Sequence, residues 1–275
     1  MSGAVLLLAG CGDSGDYSQS EDASDNHCRT VIGDPGWYGD NRDRINAMIS
    51  KQGTCGKLGA TTENPPLALF DWDNTVVRNP ISDITLFWML RNSKVRQPSD
   101  GVWSTTSQYL TPQAAKALAA ACGGLAPPGE PLPTGTNVGC ADELMSVYAD
   151  RQTHAGAPAF VGAYNHRRIE PAAAWAAQLL AGWTDADVTG FVEAARKESL
   201  DAPEGTEQAV GSGQRVGWVR YYAQMRDLIT TFRTTGLTCA SSPRPRNRWC
   251  GCGPPSWASP PLGRWVPAPT TTAPA

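Results

Sequence analysis

No apolar run in this chain approaches the ~18 residues that a membrane-spanning helix requires. Basic charge is not in excess: 23 Lys and Arg against 26 Asp and Glu leave a net charge of −3, with no basic stripe for nucleic acid. Histidine is scarce, with three in 275 residues. His27, His154 and His166 have no acid or cysteine at ligand spacing, which favours surface or loop roles over metal binding or catalysis. Cys28, Cys55, Cys122 and Cys140 contain no Cys-x-x-Cys pair, which weighs against a zinc site. Gly211-Ser212-Gly213 has no Lys-Ser/Thr after it, so it reads as a flexible hinge rather than a phosphate loop.

The N-terminus holds Ala4-Val5-Leu6-Leu7-Leu8-Ala9-Gly10-Cys11, followed by a polar, acidic segment through about Asn26. Leu-Ala-Gly-Cys resembles the lipobox of bacterial lipoproteins, which implies a lipidated Cys11 and an acidic tether. The apolar run is shorter than a usual signal core and lacks a positive flank. A start codon annotated too far downstream would account for both. On an exported chain, Cys28, Cys55, Cys122 and Cys140 suggest two disulfides, with Cys28–Cys55 and Cys122–Cys140 as the local pairing. The alternative is four buried thiols.

Asn41–Ile49 reads as a short helix. Asn64-Pro65-Pro66 breaks the chain before an apolar strand, Leu67–Phe70. Ile81–Leu90 is apolar and rich in aromatics. Thr111-Pro112 places a cap and an N1 proline ahead of Gln113–Ala121, and Glu170-Pro171 opens Ala172–Leu180. Thr184 caps Asp185–Leu200, with Asp185 and Asp187 near the positive end of the helix dipole. Trp218, Tyr221, Tyr222, Met225, Leu228, Ile229 and Phe232 recur at spacings of three and four, which predicts one helix over Trp218–Thr234. Gly236 is its expected stop, and a strand should follow.

The chemistry lies in Asp71-Trp72-Asp73-Asn74-Thr75. Acids at i and i+2 of a strand project to one side, so both can face a pocket beyond its carboxyl end. This pentapeptide after a short apolar strand resembles motif I of the haloacid dehalogenase superfamily. The helical insert that follows is similar to the C1-type cap of its phosphoserine-phosphatase-like and phosphorylcholine-phosphatase-like branch. The resemblance implies an α/β fold, a Rossmann-like core with a mostly helical cap inserted after the first core strand. It implies Asp71 as a nucleophile forming an aspartyl-phosphate, and Asp73 as general acid and then base. Thr75 would support the turn, and Mg²⁺ would sit on the Asp71 carboxylate and the Asp73 carbonyl. The expected substrate is a small phosphorylated metabolite. Nucleic acid is not expected as a partner, and membrane contact comes only through a lipid anchor. A dehalogenase on the same fold fits less well, because Asp73 matches the proton-handling acid of the phosphatases.

On this reading residues 1–27 are signal and tether, 28–78 begin the core, 79–213 form the cap and 214–238 return to the core. Residues 239–275 depart from the family. They contain nine prolines, one leucine, no acid and no Ile, Phe, Tyr or Met. Such a segment buries too little apolar surface to offset its ordering entropy and is expected to be a disordered tail. The family's second strand, its Lys and its further metal acids have no place there. Codons shifted by one base convert Trp249-Cys250 to Val and allow residues 240–253 to read Val-Val-Ser-Ala-Ser-Pro-Glu-Pro-Val-Val-Arg-Val-Trp. That resembles the missing strand and helix start, and implies a frameshift near codons 238–239.

Two other features leave alternatives open. Trp88, Trp103, Trp175, Trp183 and Trp218 in or beside the insert suit core packing, or an aromatic cage for a quaternary ammonium such as choline. Asn165-His166-Arg167-Arg168 suits a solvated loop better than a phosphate contact.

Overall fold

The computed structural model describes residues 28–32, 36–53, 67–162 and 169–235, together with the backbone of 238–242 and 250–251. Cys11, His27, Cys55, His166 and Gly236 lie outside the described residues, as do Asn165, Arg167 and Arg168. Mixed α/β structure results, with small sheets and two apolar clusters.

The smaller cluster forms around α1 (Asn41–Gln52) and β1 (Leu67–Asp71). Ile49 of α1 packs with Val31, Phe70 and Val76, and with Leu228, Ile229 and Phe232 of α7 (Ala223–Thr234). The Phe70 and Phe232 ring centroids lie 5.9 Å apart. On the other face of β1, Leu67 and Leu69 remain 53% and 57% exposed.

The larger cluster fills the insert. After the short β2 (Val77–Arg78), α2 (Ile81–Arg91) buries Ile84, Leu86, Phe87, Met89 and Leu90. It lies against α6 (Asp185–Asp201), where Trp88 meets Phe191 at 5.7 Å and Arg91 bonds Glu198. The expected caps form. Thr111 Oγ1 accepts from Ala114 N at 3.1 Å to start α3 (Pro112–Cys122). Glu170 accepts from Ala173 N at 2.6 Å to start α5 (Pro171–Gln178). Thr184 and Asp187 bond each other's backbone at the head of α6, a reciprocal capping box. Asn137 caps α4 (Val138–Met145), which runs on as a π-helical turn, Ser146–Asp150, ending at Arg151 in the left-handed region.

Cys122 and Cys140 form a disulfide that joins the end of α3 to the first turn of α4, one of the two expected pairings. Cys28 is also disulfide-bonded, and its expected partner Cys55 is outside the described residues. The tryptophans are packed rather than caged. Trp103 and Trp175 are buried, Trp175 Nε1 donates to Thr106 Oγ1, and Trp183 Nε1 donates to the Lys94 carbonyl.

Three expectations change. The helix expected from Trp218 begins only at Ala223. Residues Arg220–Tyr221 instead form β5, antiparallel to β2, with Val77 opposite Tyr221. An aromatic, β-branched run satisfies a strand as readily as a helix face, and the ladder offered by β2 decides it. Gly211-Ser212-Gly213 is not a hinge: it turns the hairpin of β3 (Glu207–Val210) and β4 (Gly213–Val216). Gly211 has φ 62°, and Ser212 N donates to Asp142 Oδ1 at 2.7 Å, which pins the turn to α4. A Cβ on Gly211 would fall 2.1 Å from that carboxylate, so glycine is required there. The hairpin also runs across residue 213, the expected edge of the insert.

The third change concerns the chain after Thr238. A strand does follow α7: β6 (Thr238–Ser242) pairs with β1 in parallel, Leu67 opposite Thr238 and Asp71 opposite Ser242. β7 (Cys250–Gly251) pairs antiparallel to β6. A ladder is made of backbone groups, so an open neighbour such as β1 can recruit a strand without an apolar side-chain pattern.

Candidate functional site

The site begins where β1 stops. Past Asp71 the chain makes one tight turn in which the Trp72 carbonyl accepts from the amides of Thr75, Val76 and Val77 at 3.2, 2.8 and 3.1 Å. Asn74 supplies the reversal. It lies in the left-handed region at φ 56°, its amide donates to the Val77 carbonyl at 2.7 Å, and its Oδ1 accepts from Asn79 N at 3.1 Å. Asparagine tolerates this conformation better than most residues. The turn feeds β2, whose pairing with β5 anchors the start of the insert next to the acids.

Asp71, Asp73 and Thr75 are thereby gathered. Thr75 Oγ1 donates to Asp71 Oδ2 at 3.0 Å, and Asp71 is exposed at the strand end. Among the described residues nothing hydrogen-bonds to Asp71 Oδ1, which leaves that oxygen open to a ligand. Asp73 is half-buried and turned toward α2, where Ser82 Oγ donates to its Oδ2 at 3.3 Å. Burial pushes the Asp73 carboxyl above its usual range. The Ser82 hydrogen bond opposes this, the Asp83 and Asp71 charges add to it, and the Ile81 amide opposes it.

Asp83 is a charged neighbour of this cluster that sequence reading missed. It sits in the first turn of α2, and Tyr148 of the π-helical turn donates its hydroxyl to Asp83 Oδ1 at 2.5 Å. Burial raises the Tyr148 hydroxyl well above the normal tyrosine range, and the Asp83, Glu170 and Asp73 charges raise it further. The available signal was the Ser82-Asp83 pair in the helix turn that follows the Asp-x-Asp loop. Its partner lies 65 residues on and has no local mark. The remaining residues stand apart. His154 is exposed in a loop beside Ser146, 3.4 Å from its Oγ.

The donors at this turn are hard oxygens, the kind that Mg²⁺ takes. The Asp71 carboxylate and the Asp73 backbone carbonyl fit in kind. They are few in number: among the described residues no group of three or more His, Cys, Asp or Glu could hold an ion. Among the described residues no helix is long and apolar enough to cross a membrane.

No family model and no curated protein matches the chain. A solved structure of a conserved protein of unknown function from Anaerococcus prevotii DSM 20548 is similar in fold. Its TM-score is 0.54 at 16% identity, covering 79% of this chain and 63% of that one. At that identity the likeness concerns the fold alone. The present chain spans less than two thirds of its neighbour's length.

Proposed function

We propose that the Asp71–Thr75 turn is the reaction centre of a phosphomonoester hydrolase of the haloacid dehalogenase type, on a Rossmann-like core with an inserted cap. The observation that carries this reading is the placement of two unlike carboxyls on one turn. Asp71 is exposed with a free Oδ1, while Asp73 is half-buried with a raised pKa. That division suits a nucleophile beside a proton donor. The parallel β1–β6 pair, which ends with Asp71 opposite Ser242, supports the core assignment.

In this reaction Asp71 Oδ1 attacks phosphorus and the bond to the leaving alkoxide breaks. Asp73 gives that oxygen its proton. Asp73, now ionised, accepts a proton from water as the water oxygen attacks the aspartyl-phosphate. The Asp71 carboxylate is released with inorganic phosphate. Thr75 holds Asp71 Oδ2 so that Oδ1 presents outward. Mg²⁺ bound by the Asp71 carboxylate and the Asp73 carbonyl would offset phosphate charge. The Cys122–Cys140 disulfide supports an extracytoplasmic setting, secreted or lipid-anchored through Cys11.

The test is hydrolysis of p-nitrophenyl phosphate with Mg²⁺ by the frame-restored protein. D71N should abolish turnover, and full turnover by D71N overturns the mechanism.

A second reading, that the 275-residue polypeptide is itself a non-catalytic product, is favoured by the open face of β1. In α/β folds both faces of such a strand are covered, yet Leu67 and Leu69 stay more than half exposed. This fits loss of core-forming sequence to a frameshift, although the β6 pairing removes one argument for it. Activity of the 275-residue chain refutes this reading, and DNA sequence across codons 230–262 decides the frameshift.

A further inference from the structure

Thr75 fixes Asp71 from within the turn, but the hydroxyl that reaches Asp73 comes from the insert. Asn79 places it. At φ 67° Asn79 reverses the chain between β2 and α2. Its Nδ2 donates to the Trp218 carbonyl at 3.0 Å, and its amide donates to Asn74 Oδ1. Pro80 follows at φ −67° as the N-cap residue of α2. The head of α2 is thus tied both to the acid turn and to the chain just before β5.

Pro80 has no side-chain acceptor, so the first turn of α2 lacks a cap of its own. Asp73 lies at that end. Ser82 Oγ donates to its Oδ2, and the Ile81 amide is directed at the same carboxylate. Among the described residues no Lys, Arg or His pairs with it. The Asp71 and Asp83 carboxylates, by contrast, are near enough to repel its charged form. An aspartate side chain turns about two torsions, so without the Ser82 contact that repulsion would swing the carboxyl towards water.

We infer that Ser82 is the positioning residue of Asp73, setting the direction in which its carboxyl faces the leaving oxygen. The inference rests on the reaction proposed above, and adds that the insert rather than the turn aims the acid. Ser82 acts only through Asp73 and contacts no reacting atom. Its 3.3 Å contact is long, as catalytic hydrogen bonds commonly are before substrate binds. A misaimed acid fails most where the leaving oxygen most needs a proton. Phenyl phosphate therefore depends on Ser82 more than p-nitrophenyl phosphate does.

Two readouts test it, and Ser82 is exposed, so S82A keeps its fold. In the 275-residue chain, three-bond NMR couplings to Asp73 Cγ report its χ1 torsion. One rotamer is expected in wild type and S82T, and rotamer averaging in S82A. Averaging already present in wild type, or a rotamer unchanged in S82A, overturns the inference. In the frame-restored protein, S82A should lose kcat/KM at least roughly tenfold more for phenyl phosphate than for p-nitrophenyl phosphate. S82T should stay close to wild type on both. Equal loss on the two substrates marks a general structural role, and that result or no loss at all overturns the inference while leaving the reaction intact. Turnover that survives D71N overturns the reaction instead, and the NMR couplings then still decide whether Ser82 orients Asp73.

Discussion

Tyr148 donates its hydroxyl to Asp83 across 2.5 Å, and so ties the π-helical turn of the insert to the helix whose Ser82 holds Asp73. The contact is a hydrogen bond between two parts of the insert, one of which carries Ser82 beside Asp73. Y148F removes the donor and leaves Asp83 facing a half-buried ring. Loss of a hydrogen bond to a charged acceptor costs roughly 1.5–3 kcal/mol, readable as a lower urea midpoint at unchanged slope. The pH dependence has a definite sign. The Tyr148 hydroxyl is raised above its usual value of 10.0 in the folded protein, so folding favours the protonated form. Its contribution is complete below pH 10.0 and is lost as pH rises beyond it. Y148F should therefore flatten the alkaline fall in stability. An identical alkaline profile in the two proteins would falsify the assignment.

Asp73 gives a prediction of the opposite kind. Its carboxyl is raised above 3.8, chiefly by burial, so the fold prefers the protonated acid and the unfolded chain releases its proton first. The cost to stability develops as pH rises through 3.8 and is complete above the folded value. D73N stays uncharged throughout. It should melt higher than wild type at pH 7 and lose that advantage towards pH 3, and under the mechanism proposed above it should not turn over p-nitrophenyl phosphate. Calorimetric melting at the two pH values checks this, and an advantage that persists at pH 3 would rule out titration of Asp73 as its origin.

The disulfide makes a third, independent claim. Cys122 and Cys140 are buried and separated by 18 residues in sequence. Closing a loop of that size removes about 3 kcal/mol of unfolded-state entropy. C122A/C140A should lose roughly 2–4 kcal/mol in urea unfolding, a range that also holds loss of the small side chains' packing. The double alanine variant is preferable to reductant, because Cys28 is also disulfide-bonded. A change below roughly 0.5 kcal/mol would contradict a stabilising role.

What the sequence revealed follows the range of the forces involved. Thr111-Pro112, Glu170-Pro171 and Thr184 marked helix starts correctly because a cap bonds residues three positions away. Asp71, Asp73 and Thr75 were legible for the same reason, since one strand end and one turn bring them together. The run from Trp218 to Tyr222 was not, because its conformation is chosen by Val77–Arg78, far away in the chain. The hairpin at Gly211–Gly213 depends on Asp142, and Asp83 gains its partner from Tyr148. β6 is the sharpest case. Its own residues carry no strand pattern, and its pairing is set by the open edge of β1.

Asn74 allows strain and hydrogen bonding to be separated. Its φ of 56° places it where most side chains are disfavoured, and its Oδ1 accepts from Asn79 N. N74G keeps the backbone freedom and loses the side-chain acceptor, which should cost roughly 0.5–1.5 kcal/mol at this exposed turn. N74A loses the acceptor and also takes the left-handed penalty of roughly 1–2 kcal/mol. N74A should therefore be the less stable of the two by about that penalty in chemical unfolding. Equal stability of N74A and N74G would mean that the turn relaxes out of its left-handed conformation. In N74A the relaxed turn would then no longer hold Thr75 against Asp71 Oδ2, and N74A, unlike N74G, should lose the turnover proposed for Asp71.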